Sequence, residues 1–132
     1  MLVIHTDGAC AGNPGPMGIG IVMWKNGKKI KEISEYIGEG TNNIAEYSAV
    51  IWALEEAQKL GEKKVLIKTD SELFVKQLKG EYKVKSINLK EPNRRVHALC
   101  LNMHVKFEHV PREKNKLADK LSKEAIKDAK KS

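Results

Sequence analysis

The stretch MLVIHTDGACAGNPGPMGIGIV, residues 1–22, contains an apolar run that ends at Asp7 and is followed at once by a segment rich in Gly and Pro. The apolar run has the composition of a strand, and the Gly and Pro residues turn the chain just where the carboxylate closes it. The segment KKVLIKTDS, residues 63–71, repeats this arrangement with Asp70. If the two runs are neighbouring parallel strands, Asp7 and Asp70 meet at the carboxyl edge of an α/β sheet, where such sheets bind ligands.

Two further acids occupy predicted helices. Glu46 lies in TNNIAEYSAVIWALEEAQKLG, residues 41–61, and an apolar stripe follows it at helical spacing. The acid therefore heads the face that packs on the sheet, where an uncompensated charge is unfavourable. Asp119 opens the helix of KNKLADKLSKEAIK, residues 114–127, where the helix dipole alone would favour an acid.

Each of these acids alone has an ordinary explanation as a capping, solvated or paired side chain. Taken together they do not, because converging carboxylates repel one another and have raised pKa values unless a cation is bound. Oxygen ligands that leave coordination sites open to water and phosphate are those that Mg²⁺ and Mn²⁺ prefer. The sequence therefore predicts a divalent-metal site formed by Asp7, Glu46, Asp70 and Asp119.

The composition is that of a single basic domain. The chain has 132 residues, 41% of them apolar, which is enough for one hydrophobic core but not for two. Lys and Arg number 24 against 17 Asp and Glu, so the formal charge is +7. A basic surface that attracts phosphates and an acidic pocket that binds metal is a combination that suits a nuclease.

Several classes of protein are disfavoured by the sequence. No apolar run approaches the roughly 20 residues of a membrane span, and the N-terminus enters a strand directly, without a signal-peptide pattern. Cys10 and Cys100 form neither a disulfide framework nor a CxxC metal pair. We therefore expect a cytoplasmic monomer that has no membrane partner and no obligate protein partner.

Hydrophobic periodicity and turn residues divide the chain into alternating elements. The predicted strands are 1–7, 18–25, 29–37, 64–69 and 104–110, and the predicted helices are 43–60, 71–78, 92–101 and 116–127. Residues 80–91 are predicted to be an irregular basic connection, and residues 128–132 a frayed basic tail. This order predicts a mixed α/β sheet with helices on its faces.

Four blocks, in this order and on these elements, resemble the type 1 ribonuclease H family. They are DGACAGNPGP at 7–16, TNNIAE at 41–46, TDS at 69–71 and NKLAD at 115–119. The resemblance covers residues 1–127 and implies a ribonuclease H-like α/β fold, with a five-stranded mixed sheet and helices on both faces. It also implies that residues 1–132 form a single ribonuclease H catalytic domain.

The resemblance assigns Asp7, Glu46, Asp70 and Asp119 as catalytic carboxylates that bind two Mg²⁺ ions, with Mn²⁺ as a substitute. In the family, the acid at Asp7 bridges both ions, that at Asp119 helps to hold the ion carrying the attacking water, and those at Glu46 and Asp70 hold the other. Two cations about 3.5–4 Å apart activate water and stabilise both oxygens of an in-line displacement at phosphorus. The implied activity is endonucleolytic cleavage of the RNA strand of RNA/DNA hybrids, giving 5′-phosphate and 3′-hydroxyl ends.

The resemblance also implies a surface that reads the hybrid. Backbone at Cys10, Gly12 and Asn13, together with Asn42, is expected to contact RNA 2′-hydroxyls or minor-groove edges, and Thr41 a DNA-strand phosphate. Groups that contact the 2′-hydroxyl are how a protein distinguishes RNA from DNA at a given position.

One departure from the family pattern concerns binding. Members with a protruding basic helix carry it, with tryptophans, between the second helix and the last strand, whereas residues 80–102 here are too short for it and contain no Trp. Hybrid binding is then expected to rely on the core surface or on the basic residues of this connection, which are Lys83, Lys85, Lys90, Arg94 and Arg95.

A second departure concerns the loop before the last helix. Many members carry there a histidine thought to assist proton transfer or product release, whereas the loop VPREKN, residues 110–115, offers Arg112 and Lys114 instead. Arg112 is either a solvated loop residue or a phosphate contact near the metals; we predict the second and include it among the catalytic residues. His109 alternates with Val105 and Phe107 and is predicted to pack rather than to act as that histidine.

Alternative functions stay open at this stage. A double-stranded-RNA nuclease, or a DNA-cutting recombinase or exonuclease of the same superfamily, would share the carboxylates, but the GNPG loop at 12–15 and the TNN cap at 41–43 favour the hybrid. A non-catalytic nucleic-acid-binding module would be expected to have lost a carboxylate, and all four are present.

Overall fold

The computed structural model describes residues 1–131, which form one mixed sheet and four α-helices. The strands are β1 (Leu2–Cys10), β2 (Gly15–Lys25), β3 (Lys28–Gly40), β4 (Lys64–Thr69) and β5 (His104–His109). The helices are α1 (Asn42–Lys59), α2 (Glu72–Leu78), α3 (Ile87–Cys100) and α4 (Lys116–Lys131). The strand order is β3-β2-β1-β4-β5, with β1 antiparallel to β2 and parallel to β4. The predicted five-stranded mixed sheet is confirmed.

The side chains of the sheet alternate between two faces. On β2, Ile21 and Met23 enter the main core with α1 and α3, whereas Val22 packs under α4. The residues of α1 that face the sheet include four fully buried alanines, which are Ala45, Ala49, Ala53 and Ala57. Such small side chains let the axis of α1 lie close to the strands. With α1 on one face of the sheet and α4 on the other, helices cover both faces, as predicted.

Two glycines set how closely these helices approach the sheet. A Cβ on Gly8 would lie 2.3 Å from the carbonyl carbon of Ala45, and one on Gly20 would lie 2.0 Å from the carbonyl oxygen of Ala118. Neither position has room for a side chain, because helix backbone already occupies that space. The first contact fixes the start of α1 against β1, and the second fixes the start of α4 against β2.

The structure corrects several predicted boundaries. β1 continues past Asp7 to Cys10, β2 begins at Gly15 rather than at residue 18, and β3 ends at Gly40 rather than at residue 37, because the strands pair beyond their apolar runs. α3 begins at Ile87 rather than at Pro92, so residues 87–91 of the predicted irregular connection are helical, and Pro92 is the sixth residue of the helix. Pro92 removes one backbone hydrogen bond, and packing of the buried Leu89 against the core offsets this loss. α4 continues to Lys131 instead of ending near Lys127, so residues 128–131 of the predicted tail are helical and Ser132 lies outside the described residues.

Candidate active site

Four acids from four elements approach one another at the carboxyl edge of the sheet. Asp7 lies in β1, Glu46 in α1, Asp70 directly after β4, and Asp119 in the first turn of α4. Because β1 and β4 are parallel neighbours, Asp7 and Asp70 emerge at the same edge. The charge of Asp70 acts on both Asp7 and Glu46, and Asp119 interacts with Asp7.

Asp7 is the central acid of this group. Its burial, followed by the neighbouring Asp70 carboxylate, raises the pKa of Asp7 to about 8. The Ser122 hydroxyl of α4 donates a hydrogen bond to Asp7 Oδ2 at 3.0 Å, which partly offsets this rise. A buried carboxylate with acids beside it binds a proton when no other cation is present.

Glu46 shows the same effect from the other face of the sheet. Burial raises the pKa of Glu46 to about 7, and the Asp70 charge adds to the rise, while a hydrogen bond with Ser71 opposes it. Ser71 also caps α2, since its hydroxyl accepts from the Phe74 N–H at 3.3 Å. Glu46 therefore lies against the start of α2 as well as against the end of β4.

Two exposed basic side chains border the acids. Lys123 Nζ donates to Asp119 Oδ2 at 3.0 Å, and Arg112 Nε lies 4.0 Å from Asp70 Oδ2. Arg112 belongs to a short 3₁₀ turn, Arg112–Lys114, and its side chain is 85% exposed. Both cations lie at the rim, so neither compensates the buried charge of Asp7 or Glu46.

In residues 1–131 no three His, Cys, Asp or Glu side chains are arranged so that they could jointly hold a metal ion. The acids approach one another closely enough for their charges to interact, but they do not form a closed cage. The donor set nevertheless suits a hard divalent cation, because it consists of carboxylates whose ionised forms are mutually destabilising.

The raised pKa values give a prediction for the metal-free protein. Between the ordinary values of 3.8 for Asp and 4.5 for Glu and the folded values of about 8 and 7, the folded state holds protons that the unfolded state has lost. The free energy of unfolding should therefore fall as pH rises through this window. Burial lowers the pKa of His5 from 6.5, which opposes the trend at acidic pH, so the decline should be clearest between pH 6.5 and 8.

Urea unfolding in EDTA across this pH range measures the effect. Asp7→Asn removes the largest contributor and should flatten the curve, while Mg²⁺ should raise stability most at the alkaline end. A metal-free stability that rises between pH 6.5 and 8 would contradict the assignment of these two acids.

Asn115 holds the start of α4 in place. Its buried amide Nδ2 donates to the carbonyl of Thr6 at 3.0 Å, and its Oδ1 lies 3.2 Å from His5 Nδ1. The carbonyl of Asn115 then accepts from the Asp119 N–H at 3.1 Å. These contacts tie the first turn of α4 to β1 beside Asp7, so Asn115 positions Asp119.

Three of the five predicted substrate-binding residues, Asn13, Thr41 and Asn42, line a polar pocket at the start of α1. Asn42 N–H donates to Asn13 Oδ1 at 3.2 Å, which joins the GNPG loop to the start of α1, and Thr41 caps that helix through the Ile44 N–H at 3.3 Å. A cavity of about 290 Å³ is lined by Asn13, Thr41, Asn42, Asn43, Ser86, Asn88 and Leu89.

Cys10 closes the turn before this pocket. Its Sγ lies 2.6 Å from the carbonyl oxygen of Gly12 and 3.2 Å from that of Gly40. The thiol therefore joins the loop to the end of β3, and the predicted contact residues Cys10 and Gly12 lie in the same loop as Asn13.

The basic connection forms a separate open groove between α2 and α3. The groove has a volume of about 700 Å³ and includes Gln77, Tyr82, Lys83, Lys90, Asn93, Arg94 and His97 in its lining. Lys85 is absent from this lining, and Arg95 Nη2 lies 2.7 Å from Glu55 Oε2 on α1. The structure thus brings together three of the five predicted basic residues.

The sequence did not identify some residues of the site, and the prediction that His109 packs is wrong. Ser122 could have been identified from its spacing, because it lies one helical turn after Asp119 on α4. Asn43, Ser86 and Asn88 could not, because only the folding of the chain brings them into one cavity. His109 was predicted to pack, but its side chain is exposed, because β5 is an edge strand whose last residue pairs only with Thr69.

None of the helices in residues 1–131 has the length and apolarity to cross a membrane.

Comparison with known proteins defines the class of fold. Residues 5–125 match the family described as "Reverse transcriptase-like". The crystal structure of LC11-RNase H1, a protein isolated from compost, in complex with RNA/DNA hybrid superposes with a TM-score of 0.92 at 45% identity, covering 98% of this chain and 99% of that one. RNase H1 of Halobacterium salinarum superposes with a TM-score of 0.93 at 37% identity, covering 96% and 98%. The fold is ribonuclease H-like.

The curated ribonuclease H of Desulforamulus reducens is 36% identical over an alignment of 143 positions, which covers 96% of this chain and 87% of that protein. The chain therefore belongs to the type 1 ribonuclease H family. It is also 38% identical to a bifunctional protein of Mycobacterium tuberculosis, but spans only 35% of the length of that relative.

Proposed function

We propose that this protein is a metal-dependent endonuclease that hydrolyses the RNA strand of RNA/DNA hybrids and leaves 5′-phosphate and 3′-hydroxyl ends. The observation that carries the proposal is the convergence of Asp7, Glu46, Asp70 and Asp119 at one edge of the sheet. Membership of the family adds to it, since LC11-RNase H1 was crystallised with such a hybrid.

Asp7, Glu46, Asp70 and Asp119 would hold two Mg²⁺ ions, with Mn²⁺ as a substitute, and the family is dependent on divalent metals. When bound, the ions supply an activated water and charge stabilisation at the scissile phosphate. The raised pKa values of Asp7 and Glu46 support this assignment, because a bound cation stabilises buried carboxylates that have another acid beside them.

The chain's own residues orient these acids. Ser122 holds one oxygen of Asp7 by a hydrogen bond, and Asn115 fixes the turn that carries Asp119. Arg112, exposed beside Asp70, would place a permanent positive charge next to the scissile phosphate. Arg112 cannot shuttle protons near neutral pH, so its role would be to stabilise developing charge.

Recognition of the hybrid would come from the loop and the helix start beside the acids. Cys10, Gly12 and Asn13 would contact RNA 2′-hydroxyls or minor-groove edges together with Asn42, and Thr41 a DNA-strand phosphate. The cavity that Asn13 and Asn42 line carries amide and hydroxyl groups, which can both donate and accept hydrogen bonds. Such groups suit a 2′-hydroxyl, which is itself a donor and an acceptor.

The basic groove between α2 and α3 would add affinity. Lys83 and Lys90 supply positive charge along it, Arg94 is paired there with Glu91, and the half-exposed Tyr82 ring offers a surface for stacking. This arrangement would partly compensate for the missing basic protrusion.

We further propose that the chain acts as a single catalytic domain and a cytoplasmic monomer that needs no obligate protein partner. The free thiols Cys10 and Cys100 are consistent with a reducing compartment.

The test is a side-by-side cleavage assay with labelled RNA/DNA hybrid, double-stranded RNA and duplex DNA, each with Mg²⁺ and with EDTA. Cleavage of the hybrid alone, and only with Mg²⁺, is expected. Preferential cutting of double-stranded RNA or of duplex DNA would support the corresponding superfamily alternative, and hybrid binding without any cutting would support a non-catalytic module.

A further inference from the structure

A second groove lies between the end of β1, with the first residue after it, and the outer face of α4. Its volume is about 310 Å³, and its walls are Ala9, Cys10 and Ala11 on one side and Lys123, Ile126, Lys127 and Lys130 on the other. The groove therefore joins the loop proposed to read RNA to the basic half of α4.

The direction of α4 places these lysines at the active edge of the sheet. Gly20 of β2 contacts Ala118 and Ser122 near the start of the helix, whereas Gly18 contacts Ser122 and Ile126 further along it. Since β2 begins at Gly15 beside the active-site loop, α4 runs from the middle of the sheet toward that edge. The helix therefore carries Lys127 and Lys130 away from Asp119 and toward the end of β1, where Ala9 and Cys10 lie.

The lysines form one face with unbalanced charge. Lys123, Lys127 and Lys130 recur at the i, i+4 and i+7 spacing of one helix face. Lys123 is bonded to Asp119, but Lys127 and Lys130 make no ion pair with any side chain that the structure describes. Like charges on adjacent turns repel one another, so two neighbouring lysines without an ion-pair partner favour a bound anion.

We propose that Lys127 and Lys130 bind phosphates of the RNA strand outside the stretch read by the Cys10 loop; this inference rests on the proposed function. The RNA strand is the partner because the opposite wall of the groove is that loop. A helix rises about 1.5 Å per residue, so Lys127 and Lys130 are about 4.5 Å apart along the helix axis, which corresponds to one or two nucleotides at about 3.4 Å each along a duplex.

The test compares two double variants of the whole chain. In Lys127→Gln/Lys130→Gln the KM for hybrid should rise about 5- to 10-fold at moderate salt, and the slope of log KM against log salt should fall by about 1–2, with kcat changed less than about two-fold. The matched control is Lys28→Gln/Lys64→Gln, which removes the same charge from exposed residues at the opposite edge of the sheet. Its KM should change less than about two-fold.

A second measurement identifies the strand. Phosphates of a hybrid are replaced one at a time by neutral methylphosphonates, and KM is measured for the parent protein and for Lys127→Gln/Lys130→Gln. At one or two positions of the RNA strand, the replacement should raise the KM of the parent protein but leave the KM of the double variant unchanged. Equal effects of the two double variants, or coupling confined to the DNA strand, would overturn the proposal. If the parent protein does not cut hybrid at all, it is the proposed function that has failed.

Discussion

Asp7→Asn should abolish hybrid cleavage while leaving the fold intact. Asp7 is the acid that interacts with both Asp70 and Asp119, so an amide at this position removes the charge about which the site is built. The same change relieves the repulsion that raises the pKa of Asp7 to about 8, so the metal-free variant should be more stable than the parent at pH 8. Each 1 kcal/mol of this gain should raise Tm by about 2–8 °C.

The chain offers a matched control for this variant. Asp128 is the one further aspartate in the sequence, and it lies exposed near the end of α4. Asp128→Asn should therefore keep parental turnover and stability. Near-normal Mg²⁺-dependent cleavage by Asp7→Asn, with circular dichroism and Tm confirming a folded protein, would refute the assignment of the site.

Arg112→Ala should lower turnover by roughly 10- to 1000-fold, the range expected for the loss of one preorganised charge-stabilising group. The guanidinium lies beside Asp70 in the turn that leads into α4, and it is exposed, so it is free to contact a bound phosphate. The change in KM should be smaller than the change in kcat, since the charge acts mainly on the transition state. Arg112→Lys should recover only part of the loss, because an ammonium group lacks the bidentate geometry.

Lys114→Ala is the control for Arg112, because it removes a positive charge from the same 3₁₀ turn. It should leave kcat within about two-fold, as expected for a general surface charge. If Arg112→Ala keeps full turnover and merely weakens binding at high salt, Arg112 is a surface phosphate contact.

Much of the fold could be predicted because local signals agreed with one another. The apolar runs before Asp7 and Asp70 and the capped helix carrying Glu46 each indicate the element that the structure contains. The start of α3 could not be predicted in this way. Pro92 imitates a helix start, whereas the real start depends on burial of Leu89, a tertiary contact with no local signature.

The candidate site, like the fold, could be predicted from the sequence only in part. The acids were identifiable because a charge at the end of an apolar run needs a physical reason. Ser122 and Asn115 act through contacts that span more than a hundred residues of sequence, so only the fold reveals that they orient Asp7 and Asp119. The exposure of His109 was missed because a strand pattern does not tell an edge strand from a central one.

The central claim is that the protein recognises ribonucleotides in a duplex and cuts them with the help of metal ions. Its most direct test is a labelled duplex in which four consecutive ribonucleotides are embedded in one DNA strand, compared with the same duplex made entirely of DNA. Cleavage should occur within the ribonucleotides, in Mg²⁺ but not in EDTA, because recognition is local to a few 2′-hydroxyls. Equal cutting of the all-DNA duplex, or cutting that persists in EDTA, would contradict the claim.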